Sequence, residues 1–125
     1  MAQYSFLISS ILILLIDSVY LNLFSGYFAN QVKNVQNSSL KLNLTGAALA
    51  YLFIIIIFNY FVIGFKMNLS ESFLLGLSVY GVYEGTTYAI FKNWSLLSVF
   101  IDTIWGGVLF FLTNYIMLLL KKIKL

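Results

Sequence analysis

The chain contains no cysteine, no histidine, no proline and no arginine, and only four of its 125 residues are acidic. Without imidazole or thiolate there is no His or Cys metal site, no Ser-His-Asp or Cys-His triad and no disulfide framework, and no cofactor is expected. The seven cations are all Lys, and a net charge of +3 is too small for an electrostatic footprint on nucleic acid. Charge of either sign is scarce, at 9% of residues, while 62% are hydrophobic and the mean hydropathy is +0.97. A surface that apolar does not suit water, so the first partner expected is a lipid bilayer.

Crossing the hydrocarbon core takes roughly 20 apolar residues in a helix. Four segments bounded by polar residues qualify, at 4–24, 45–65, 70–91 and 97–120, the third being the most polar. The run Phe53-Ile54-Ile55-Ile56-Ile57-Phe58 has strand-like composition, but strands survive in lipid only in closed barrels, and period-two alternation is missing. The expected fold is all-α: one transmembrane domain over 1–125, an up-down-up-down four-helix bundle. The links are a long polar stretch at 25–44 and tight turns around Lys66-Met67-Asn68-Leu69 and Lys92-Asn93-Trp94-Ser95. In the long link, Phe28, Val32 and Val35 recur at helical spacing opposite Asn30, Lys33, Asn34 and Asn37, which fits an interfacial extension of the first helix as well as a solvated linker.

The first span lacks a basic leading region and a small-residue cleavage site, so it is expected to be retained. Four spans put both termini on one side with Lys66, Lys121, Lys122 and Lys124, against Lys33, Lys41 and Lys92 opposite; the positive-inside rule then places the termini in the cytoplasm.

Three of the four carboxylates, Asp17, Glu84 and Asp102, fall inside spans, where ionisable groups are costly and mark function by default. At ~1.5 Å per residue they lie within several Å of one depth. No span contains a Lys, so compensation comes from a retained proton, a cation held between the acids, or a water-filled cavity. Tyr80, Glu84, Thr87 and Tyr88 share one helical face; Asp102, Trp105, Gly106 and Leu109 share another; Ser10, Asp17 and Tyr20 or Leu21 form a third. The expected polar or ion pocket is therefore Asp17, Tyr80, Tyr83, Glu84, Thr87, Asp102 and Trp105, with the identity of any metal open. Equally, these carboxyls serve as hydrogen-bond glue between helices. Asn59 and Thr113-Asn114 form a second polar level expected to act as such glue, and Glu71 sits where a helix dipole favours an anion. Gly81, Gly85, Gly106 and Gly107 mark close helix approach. Trp94 reads as an interfacial belt residue, whereas Trp105 suits belt or pocket.

The stretch from Gly76 to Thr87, followed by Lys92-Asn93-Trp94 and Asp102-Thr103-Ile104-Trp105-Gly106, resembles an uncharacterised family of four-helix membrane proteins, the domain of unknown function two-one-seven-seven. Tyr80, Tyr83, Thr86, Trp94, Asp102, Trp105 and Gly106 match its pattern, and Asp17-Ser18-Val19-Tyr20-Leu21 is similar to its Asp-x-x-Trp-Leu. Glu84, Thr87, Ser95 and Tyr20 stand where the family has Asp, Asn, Pro and Trp. The resemblance implies the four-helix membrane fold and the acidic site, and it implies no activity.

Three functions compete. A structural subunit with packing carboxyls, in a homo-oligomer or a larger membrane or virion complex, is expected first. The alternative is proton- or cation-linked binding or transport of a small polar solute through the acidic pocket. Catalysis ranks last and the chain is not expected to be an enzyme: the Gly-x-Gly-Asp pattern of intramembrane aspartyl proteases is missing, and no span holds a Lys for a retinal Schiff base.

Overall fold

The computed structural model describes residues 2–123. Four helices follow one another: α1 over Ala2–Gln36, α2 over Leu44–Ile57 continuing into a π-helical turn over Phe58–Ile63, α3 over Leu69–Ile90 and α4 over Leu96–Lys122. No strand occurs among the described residues. The stretches Tyr4–Gln36, Leu44–Ile63 and Leu96–Lys122 are each long and apolar enough to cross a membrane. At 22 residues α3 is long enough as well, and it turns its polar Ser72, Glu84 and Thr87 inward. The result is the all-α, up-down-up-down bundle expected from the sequence.

Local chemistry fixes the helix ends. Asn43 accepts from the Gly46 amide ahead of α2, and Ser95 accepts from the Ser98 amide ahead of α4. Ahead of α3, the Asn68 side chain accepts from the Glu71 amide at 2.8 Å while the Glu71 carboxylate accepts from the Asn68 amide at 2.9 Å. Glu71 thus completes a capping box, satisfying two amides that the first turn leaves unpaired. Asn37, Lys66 and Asn93 take left-handed backbone conformations where the chain turns. Two of the three are Asn, whose short polar side chain tolerates that region.

The long link at 25–44 is mostly helix. α1 runs unbroken to Gln36 with Phe28, Val32 and Val35 half-buried and Gln31 buried, so the extension is realised and only 37–43 remain as a connection. Its inward stripe continues the one formed by Ser9, Ile13, Asp17 and Tyr20 in the span.

In lipid, apolar burial does not by itself drive helices together; close van der Waals fit and hydrogen bonds do. The tightest pair is α3 against α4, and its crossing point is Gly76 with Gly106. A Cβ on Gly76 would sit 2.2 Å from the Gly106 carbonyl oxygen, and one on Gly106 would sit 2.4 Å from the Tyr80 ring. Gly107 accommodates the Phe73 ring in the same way. The expectation for Gly81 and Gly85 is corrected: Gly81 makes an ordinary 3.5 Å contact with Thr103, and Gly85 has open space around it. Beside this crossing, Ile13, Phe58, Val62, Leu109 and Phe110 form the apolar core. Phe58 and Phe110 meet edge to face at 5.4 Å.

The second polar level does pair helices, though with partners of its own. Asn59 accepts from the Ser9 hydroxyl at 2.8 Å, joining α2 to α1. Asn114 donates to the Met67 carbonyl at 3.0 Å and to Ser72 at 3.3 Å, joining α4 to the start of α3. Thr113 donates to the Leu109 carbonyl of its own helix.

Candidate functional site: a buried carboxyl and aromatic network

Helical periodicity points Asp17 and Tyr20 of α1 inward together, and Asp102 and Trp105 of α4 likewise, each pair three residues apart. Antiparallel packing sets the two pairs face to face. Asp17, 5% exposed, accepts from the Trp105 indole N–H at 2.8 Å through one oxygen and from the Tyr51 hydroxyl of α2 through the other. Asp102 accepts from the Tyr20 hydroxyl at 3.0 Å. The bonds cross in both directions between α1 and α4, and the Tyr20 and Trp105 rings stack with centroids 4.5 Å apart and planes 2° from parallel.

Glu84 of α3 is 1% exposed and accepts from the Trp94 indole N–H at 2.8 Å. Its carboxyl neighbours that of Asp102. Among the described residues no three carboxylates gather closely enough to hold a metal ion.

An aromatic column lines one side of the network. Tyr20 contacts Phe24 and Phe28, with centroids 5.0 and 6.2 Å away, and Phe28 stacks on Trp94 at 6.3 Å. Beyond Trp94 a polar clasp joins the α1 extension to the turn between α3 and α4. Gln31 donates to the Asn93 carbonyl at 2.7 Å and accepts from the Ser95 amide at 3.0 Å and from the Ser95 and Ser98 hydroxyls. Tyr27 lies 2.9 Å from the Ser98 hydroxyl, and Asn93 donates to the Asn34 carbonyl at 3.2 Å.

Of the seven residues expected in the pocket, Asp17, Glu84, Asp102 and Trp105 meet in the network. Tyr80 packs its ring on Gly106 at the helix crossing. Thr87 is buried but donates to the Tyr83 carbonyl of its own helix at 2.9 Å. Tyr83 is 63% exposed and lies outside the pocket. The inward stripe of α3 runs Gly76, Tyr80, Glu84 and Thr87, and Tyr83 stands to one side of it. Tyr88 and Leu21 also face outward.

Three contributors escape the sequence reading. Trp94 reads as a belt residue, yet the left-handed Asn93 folds its indole back over the end of α3 onto Glu84. Tyr51 is hidden in the most apolar helix, where its depth opposite Asp17 was the available signal. Gln31 sits in the segment taken for a link, on the same helical stripe as Phe24 and Phe28.

No curated protein and no solved structure matches the chain. The family described as predicted membrane protein (DUF2177) matches it over residues 2–119. That match reaches all four helices and includes Asp17, Glu84 and Asp102. The chain therefore belongs to this family, and it is an integral membrane protein with several membrane-crossing helices.

Proposed function

We propose that the protein is a structural subunit of a membrane assembly, with its intramembrane carboxyls employed in fixing the helix arrangement. One observation carries this reading: each of the three carboxyls is engaged by an aromatic donor from another segment, Asp17 by Tyr51 and Trp105, Asp102 by Tyr20, and Glu84 by Trp94. Groups so engaged specify which helices touch and in what register. The short connections add support, because they leave little surface outside the bilayer for a soluble substrate, whereas lipid-facing residues such as Leu23, Leu44 and Val82 offer broad lateral contact faces. Extraction into polymer-bounded lipid discs, with mass measurement and lateral cross-linking from Leu52, tests the reading. It predicts several copies or a larger partner in each particle; particles holding a lone 14.2 kDa chain overturn it.

The burial of Glu84 beside Asp102 favours a second reading, in which this pair of intramembrane acids exchanges a proton or cation during binding or transport of a small polar solute. Proton uptake by the protein in liposomes, lost in Glu84→Gln and Asp102→Asn, would replace the structural reading with this one.

A further inference from the structure

A cavity lies away from the acidic network, at the end of the bundle that carries the chain termini. It has a volume of about 320 Å3 and opens between the start of α1, the π-helical turn and the end of α4. Its walls are mostly apolar, built chiefly by Ile8, Val62, Ile63, Met117 and Leu118, with the polar Ser5 and Asn114 among them. Lys66 and Lys121 line it and are themselves exposed, and no carboxylate lines it among the described residues.

The backbone explains why space exists there. From Phe58 the helix widens, and the Gly64 and Met67 amides donate to the carbonyls of Asn59 and Val62 five residues earlier, at 3.0 and 2.9 Å. Turns of this kind are rare and cluster at functional sites. Val62 and Ile63 of the wide turn, with Lys66 and Met67 just after it, form one wall of the cavity, so this short segment supplies both apolar surface and a cation.

We propose that this cavity is the docking site of one anionic glycerophospholipid from the leaflet on the side of the termini. An acyl chain lies between α1, the π-helical turn and α4, and the phosphate sits between Lys66 and Lys121. Three features select this occupant. The volume is at the small end of ligand sites, which run ~300–1,000 Å3, and suits one chain segment better than a bulky solute. Both lysines belong to the ends of membrane helices, where ammonium groups meet lipid phosphate. Two exposed lysines, with no carboxylate lining the cavity among the described residues, favour an anionic headgroup over a zwitterionic one.

The experiment is native mass spectrometry of the full chain released from detergent containing equal phosphatidylglycerol and phosphatidylcholine. One phosphatidylglycerol is expected to be retained, and Lys66→Gln with Lys121→Gln is expected to lower its retention about thirtyfold, from two surface lysines acting together. Lys33→Gln with Lys41→Gln, at the opposite end, is expected to leave retention unchanged. Equal retention of the two lipids, or equal loss from both lysine pairs, overturns the proposal. So does thermal stabilisation by inorganic phosphate alone equal to that by the anionic lipid, since the acyl chain would then contribute nothing.

Discussion

The pair α3 and α4 and the helix α2 are opposites in composition and in packing. The helical part of α2 is the most apolar stretch of the chain, and none of its residues is buried. α3 and α4 carry Gly, Ser, Thr, Asn and acids, and they bury eleven residues between them, among them Ser72, Glu84, Thr113 and Asn114. In water the ranking would be reversed. Inside a bilayer a Leu or Ile is as well solvated by lipid as by protein, so the buried helix is the one with small and polar side chains. α2 is attached through two specific bonds, Tyr51 to Asp17 and Ser9 to Asn59, and through Phe58 and Val62 of its π-helical turn.

The contrast is broken most severely at the glycine crossing. Gly106→Leu places side-chain atoms where Tyr80 and the Gly76 carbonyl already stand, and should cost ~4 kcal/mol or more, read as loss of the cooperative thermal transition in detergent. Asp17→Ala strands the Tyr51 hydroxyl and the Trp105 indole N–H. A loss of ~1–3 kcal/mol is expected by the same measurement, with α2 losing protection from hydrogen exchange before α3 and α4 do. Tyr51→Phe removes one of those bonds and keeps the ring, so about 0.6 kcal/mol should be lost, the average for a hydrogen bond between membrane helices. At the far end of the scale, Gly85→Ala and Leu52→Phe touch nothing packed and should shift stability by less than ~0.5 kcal/mol. A large effect from Leu52→Phe would reveal a protein neighbour on the exposed face of α2.

Much of this arrangement is legible in the sequence because it depends on lengths. The four helices and the common depth of Asp17, Glu84 and Asp102 follow from counting residues along the chain. What depends on rotation about the helix axis is less legible. Gly81 and Gly85 have the spacing of a close-packing pair, but the contact falls at Gly76, because the position of Gly106 on the partner helix decides which glycine is used. Tyr83 and Tyr80 are alike in type and nearly alike in direction, and the same crossing turns one outward and the other onto Gly106. Trp94 illustrates a further limit: interfacial aromatics read as belt residues, and only the left-handed backbone at Asn93 reveals that this indole turns inward.

The clasp around Gln31 imposes an order on biosynthesis. Its partners Asn93, Ser95 and Ser98 emerge 62 to 67 residues later, a wait of roughly 3–13 s at ~5–20 residues per second. Asp17 has an earlier companion, since Tyr51 arrives 34 residues after it while Trp105 arrives 88 residues after it. The first two helices can therefore hold each other provisionally through two hydrogen bonds, Tyr51 to Asp17 and Ser9 to Asn59. The last hairpin arrives after them, and α1 bonds to it at both its Asp17 and its Gln31 ends.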